Sequence, residues 1–137
     1  MTISVDTIIN SPIEKVWQYW NDPTSVMVWN RAEDSWHCPQ ATNYFELGSG
    51  FSYTMSAKDG SSSFEFAGMY TKIEPQKLIE YTMADGRKVS VEFEKVDDTN
   101  TIVTESFDTE NENSVEAQRT GWQMILDNFK KYCEETK

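Results

Sequence analysis

The sequence predicts an α+β fold in which a curved antiparallel sheet of about six to seven strands wraps around one long C-terminal helix. Three observations predict it: a helical apolar period from Ser114 to Glu135, a strand-like alternation from Phe51 onward, and short Gly- and Asp-containing turns between the alternating runs.

Residues 2–9, TISVDTII, put Ile3, Val5 and Thr7 on one face and Ser4, Asp6 and Ile8 on the other, the pattern of a half-buried strand. Ser11-Pro12-Ile13-Glu14 then changes the period. An N-cap serine, a proline at the first helical position and a glutamate able to reach back predict a helix carrying Ile13, Val16, Trp17 and Trp20. Asn21-Asp22-Pro23 ends it and begins a second short helix with Val26, Met27 and Trp29.

From Ser35 the punctuation is that of a sheet, with Gly48, Gly50, Asp59-Gly60 and Asp85-Gly86 as breaks. Phe51, Tyr53 and Met55 alternate with Ser52, Thr54 and Ser56. Phe64 and Phe66 follow the Asp59-Gly60 turn and lead to Gly68, where a bulge or bend is expected. Ile79, Tyr81 and Met83 form the next inward set, and Val89, Val91 and Phe93 the one after Asp85-Gly86. The turn at Asp97-Asp98-Thr99-Asn100 leads to a last strand, TIVTESFD, and then to an acidic loop, Glu110 to Asn113.

In the final segment Val115, Gln118, Trp122, Ile125, Leu126, Phe129 and Cys133 share one stripe, while Glu116, Gln123, Asp127, Lys130 and Lys131 turn away. Asn113 with Glu116 is expected to cap this helix, which would be about 33 Å long, enough to cross a small sheet. The element order is that of an α+β helix-grip arrangement, built as one domain over residues 1–137.

Composition narrows the function. Lys and Arg total 12 against 23 Asp and Glu, a net charge of -11 that disfavours phosphate backbones and anionic lipid surfaces, so nucleic acid is not expected as a partner. No apolar run reaches the ~20 residues of a membrane span, and the first ten residues do not form a secretory signal, which predicts a cytoplasmic protein. Cys38 and Cys133 are too far apart in sequence for a CxxC motif and are expected to be buried thiols. Asp34, His37 and Cys38 cluster, but one histidine and a distant second cysteine make an incomplete ligand set, so no metal and no cofactor is expected.

The SPIEKVWQYWNDP opening, the LGSGFSYTM strand, the GMYTKIEPQKLIEYT stretch and the closing GWQMILDNFKKY together resemble the START-like (Bet v 1-like, SRPBCC) superfamily. Within it they resemble the branch named for the activator of the Hsp90 ATPase, over essentially the whole chain. The resemblance implies a cavity between the C-terminal helix and the concave sheet, which in many relatives holds lipids, polyketides or other apolar and aromatic compounds. It also implies two rival readings, a cyclase- or hydrolase-type enzyme using a cavity acid or Tyr, and a chaperone-associated interaction protein.

The residues expected to line such a cavity are Trp17, Trp20, Trp36, Phe51, Tyr53, Met55, Phe64, Phe66, Tyr81, Met83, Phe93, Trp122 and Ile125, since rigid rings make good walls for an apolar pocket. The same rings would equally make a packed core. Gln118 is the polar position of the helical stripe and is expected beside Tyr53, Tyr81 and Glu105 as a ligand contact. Glu105 shares a strand face with Val103 and Phe107; if those point inward so does its carboxylate, with Arg119 as a candidate partner, and if they do not it is solvated.

Overall fold

The computed structural model describes residues 1–136. Its elements are β1 (Thr2–Ile9), α1 (Ile13–Asn21), α2 (Pro23–Trp29), β2 (Trp36–Asn43), β3 (Gly50–Ala57), β4 (Ser63–Glu74), β5 (Leu78–Met83), β6 (Lys88–Asp97), β7 (Asn100–Asp108) and α3 (Val115–Glu135). The seven strands form one antiparallel sheet in the order β1-β7-β6-β5-β4-β3-β2. Strands β2 to β7 are therefore a meander, and β1 returns to pair with the last strand, Thr2 opposite Asp108 and Ile9 opposite Thr101. This register puts Ile3, Val5 and Thr7 against Phe107, Glu105 and Val103 on the inner face.

The helix starts follow local hydrogen bonding and differ from expectation by one residue. The Pro12 carbonyl accepts from Lys15 and Val16, so α1 begins after Pro12, and the Ser11 side chain caps nothing. Ser11 is buried, and its carbonyl instead accepts the Thr101 hydroxyl at 2.9 Å, tying α1 to β7. At α3 the cap is Ser114, whose Oγ accepts from the Ala117 amide at 3.0 Å. Asn113 lies one residue before the cap, and its backbone N–H and side-chain amide N–H donate to the Glu110 carboxylate. On α2, Val26 and Trp29 are buried, but Met27 projects outward.

Gly68 is not a bulge. It pairs regularly with Phe51 and Met83, and the register shift in β4 falls between Tyr70 and Lys72. Its glycine is required by packing: a Cβ there would lie 2.6 Å from Tyr81 Cδ2 and 3.0 Å from Phe51 Cε1. Two rings thus close over the strand at that point.

α3 lies nearest β1 and stitches that edge strand shut. Gln123 Nε2 donates to the Asp6 carbonyl at 3.1 Å, Lys130 Nζ to the Ile8 carbonyl at 2.8 Å, and the Asn10 N–H to the Glu134 carboxylate at 2.8 Å. These bonds satisfy groups an open edge would expose. The C-terminal half of α3 packs onto α1 and α2: Phe129, fully buried, stands edge-on to Trp20 and Trp29 with centroids 4.9 and 4.8 Å away. Tyr132 donates to the Ser25 hydroxyl at 3.0 Å, Ser25 in turn donates to the Asp22 carboxylate, and Asn128 donates to the Arg31 carbonyl. Among the described residues no helix is long and apolar enough to cross a membrane.

Candidate functional site

Because α3 leans toward β1 and is braced by α1 and α2 at its C-terminal end, its N-terminal half stands away from strands β3 to β5. A cavity of about 380 Å³ lies in this gap. On the helix it meets Ala117, Gly121, Trp122 and Ile125, and a Cβ added at Gly121 would touch nothing within 4 Å. Small residues at two positions one turn apart leave the space that larger side chains would fill. The sheet contributes Phe51, Tyr53 and Met55 from β3, Phe64, Phe66 and Tyr70 from β4, and Ile79, Tyr81 and Met83 from β5. Trp20, Trp29, Asn30 and Ala32 close the end under α1 and α2. Phe64, Asn113 and Ala117 are solvent-exposed and mark the rim.

The rings hold one another. Phe51 is stacked on Tyr53 at 4.6 Å and meets Tyr81 edge-on at 4.8 Å, while Phe66 approaches Trp122 at 5.9 Å. Such offset and edge-on pairs fix the wall in place without filling the centre.

Glu105 points inward, as the alternation with Val103 and Phe107 allows, and is 4% exposed. Arg119 is not its partner. That side chain is exposed on the opposite side of α3, beside Ser4, Val5 and Asp6. Among the described residues no ion pair reaches Glu105, and burial alone raises its pKa to about 8. The carboxyl therefore keeps its proton at neutral pH. Burial also raises the tyrosines Tyr53, Tyr70 and Tyr81 well above the ordinary phenol range, keeping them as hydroxyls. Tyr70 donates to the Asn43 side-chain carbonyl at 2.6 Å. Arg87, at the cavity edge, is bound to Asp85 at 2.7 Å.

Gln118 has a different role from the expected one. It shares the cavity with Tyr53, Tyr81, Glu105 and Trp122, but its Oε1 accepts the Glu110 N–H at 2.9 Å and its Nε2 donates to the carbonyls of Glu110 and Asn113 at 3.1 and 2.9 Å. Its amide locks the loop between β7 and α3 onto the helix. That loop is thus held at Glu110 and Asn113 rather than freely solvated.

Of the other expected residues, Trp20, Phe51, Tyr53, Met55, Phe64, Phe66, Tyr81, Met83, Trp122 and Ile125 come together around the cavity. Trp17, Trp36 and Phe93 do not line it. Trp17 packs between Phe45 and Phe93, and Trp36 leans on Phe64. Ile79, expected on the inner face, also lines the cavity, while Tyr70, Asn30, Ala117 and Gly121 are additions; the Ala117/Gly121 spacing on the inward side of a helix is the legible signal for the last two. Cys38 and Cys133 are free and buried, with thiol pKa values pushed up to about 11 and about 12 by burial. Neither is suited to nucleophilic attack. No group of three His, Cys, Asp or Glu side chains converges as a metal site among the described residues.

Residues 10–134 match the family model described as activator of Hsp90 ATPase homolog 1-like protein. No curated protein matches the chain. Among solved structures it is similar to an AHSA1-like protein from Aeromonas hydrophila, at 41% identity over 98% of this chain and 93% of that one, with a TM-score of 0.91. A protein from Cytophaga hutchinsonii is 47% identical over 98% and 92% of the two chains, with a TM-score of 0.84. A protein from Chromobacterium violaceum shares the fold at 17% identity, covering 98% of each chain with a TM-score of 0.85.

Proposed function

Because the chain belongs to the activator of Hsp90 ATPase homolog 1-like family, we propose that it binds a small apolar or aromatic molecule in the cavity between α3 and the sheet. The observation that carries this reading is a ring-lined cavity of about 380 Å³ containing one inward carboxyl and several hydroxyls. Its size is at the small end of the ~300–1,000 Å³ typical of ligand pockets, and its lining, apolar with a few convergent polar groups, is the usual one. That volume suits a compact ring system or a single medium chain better than a two-chain lipid. The test is mass spectrometry of the protein released from native purification, together with titration of its tryptophan fluorescence. A stoichiometric small molecule and saturable quenching support the reading; neither, across a panel of apolar compounds, removes it.

Glu105 favours a second reading. A buried acid that holds its proton at neutral pH can serve as a general acid, as in a cyclase- or hydrolase-type relative. Turnover of a bound compound that Glu105→Gln abolishes would favour catalysis over binding alone. The family description also allows a chaperone as protein partner, reached through the acidic exterior with its net charge of -11; salt-sensitive capture of a chaperone would favour it.

A further inference from the structure

The polar content of the cavity is unbalanced in sign. Glu105 is more than nine-tenths buried, faces the cavity and has no ion-pair partner among the described residues. The cation at the cavity edge, Arg87, is held by Asp85, and Arg119 lies outside on the far side of α3. An anionic head group entering this cavity would meet the buried carboxyl, and among the described lining residues the one cation is Arg87 at the edge, already bound through Nε to the Asp85 carboxylate. A cationic head would meet its complement, and the surrounding rings offer the negative faces that attract ammonium groups. The net charge of -11 works in the same direction at long range.

We propose that the cavity takes a lipophilic amine, with its ammonium group against Glu105 and its apolar body against the rings of Phe51, Phe66, Tyr81 and Trp122. This rests on the binding reading above and assigns its ligand class. The family description names no such ligand. Glu105, costly to bury alone, gains in the complex the charge partner that the protein does not supply.

The association is non-covalent and its proton balance follows from the two groups. The amine arrives as an ammonium ion, Glu105 must ionise to pair with it, and the released proton goes to buffer. The other titratable groups facing the cavity are Tyr53 on β3, Glu65 and Tyr70 on β4, Tyr81 on β5, Arg87 in the turn before β6, and Glu110 in the loop before α3. Glu65 accepts from the Ser52 and Thr54 hydroxyls, which hold its pKa down and keep it a carboxylate. Burial holds the three tyrosines as phenols, Arg87 is paired with Asp85, and the Glu110 carboxylate is turned to Asn113. Proton release on binding therefore reports Glu105.

The experiment is calorimetric titration with three probes that share one apolar body and differ in the head: 4-phenylbutylamine, 4-phenylbutanol and 4-phenylbutyrate. Wild type should bind the amine about tenfold or more tighter than the alcohol, the scale of one charge-assisted hydrogen bond, and the carboxylate weakest. At pH 7, heats measured in phosphate and in Tris should differ by the ionisation of close to one proton. Glu105→Gln should erase the amine's advantage and the proton release, while the alcohol binds within about twofold of its wild-type affinity. Equal binding of amine and alcohol, or tightest binding of the carboxylate, overturns the amine assignment and leaves the cavity reading standing. An amine preference that survives in Glu105→Gln also overturns it. Absence of binding by all three probes overturns both.

Discussion

Trp122 lies flat on Phe107, with ring centroids 4.1 Å apart and planes 7° from parallel. This stack joins the helix to the strand that carries Glu105, and it turns the indole toward β7, so that Trp122 is at once part of the core and a wall of the cavity. Trp122→Ala should cost about 2–4 kcal/mol, less than a fully buried tryptophan because the ring is only partly buried, and should also weaken ligand binding. Urea denaturation combined with a binding titration separates the two losses.

Phe129 gives the contrasting case. It is fully buried between Trp20 and Trp29 and lies outside the cavity, so Phe129→Ala should destabilise by about 3–5 kcal/mol. Lys131→Ala, on the exposed face, should change stability by less than about 0.5 kcal/mol. Similar small losses at both positions would mean that α3 presents a different face.

Gln118→Ala should act on the loop. Its amide holds Glu110 and Asn113, so removal leaves those backbone groups without partners and should cost about 1–3 kcal/mol. Hydrogen exchange at the Glu110 amide should accelerate markedly, whereas amides in the middle of β6 should slow or quicken only with global stability. Unchanged exchange at Glu110 would contradict the locking role.

Glu105 makes stability depend on pH in a defined direction. Its pKa is about 8 in the folded chain against 4.5 for the free group, so between those values the folded state holds a proton that the unfolded state has lost. Its contribution is complete below pH 4.5 and is lost as pH rises through about 8, with a slope of up to about 1.4 kcal/mol per pH unit. Asp97 and Asp108 work the other way: hydrogen bonds, first from the backbone of Thr99 and of Lys88, hold both below the usual range, so their contribution is lost as pH falls. Denaturation midpoints measured from pH 4 to 9 should decline on the alkaline side, and Glu105→Gln should flatten that decline. A wild-type midpoint that rises from pH 5 to 8 would contradict a neutral buried Glu105.

Much of this arrangement is legible in the sequence because periodicity reports which face a residue takes. Phe51, Tyr53 and Met55 declare the inner face of β3, and the Val103-Glu105-Phe107 alternation is enough to turn the carboxylate inward once the sheet is curved over the helix. Periodicity cannot tell a packed ring from a ring beside open space. Trp17 and Phe93 carry the same signal as Phe66, yet they fill the core against each other at 5.0 Å. The difference arises from α3, whose tilt is set by hydrogen bonds to β1 from Gln123 and Lys130, contacts between residues more than a hundred positions apart that no local pattern encodes. The hydrogen bonds of Gln118 escape local pattern for a related reason. A polar residue on a buried stripe needs a partner, and the nearest unsatisfied groups belonged to its own loop.

The cavity exists because Gly121 leaves it unfilled, and Gly121→Leu is the most direct test that this is where the ligand binds. The added side chain meets nothing within 4 Å at its Cβ and replaces a helix-interior glycine, so stability should hold or rise by up to about 1 kcal/mol. Fluorescence titration with an apolar compound that quenches the wild-type tryptophans should show binding lost or weakened at least tenfold in a variant that melts no lower than wild type. Wild-type affinity in a fully folded Gly121→Leu protein would contradict ligand binding between α3 and the sheet.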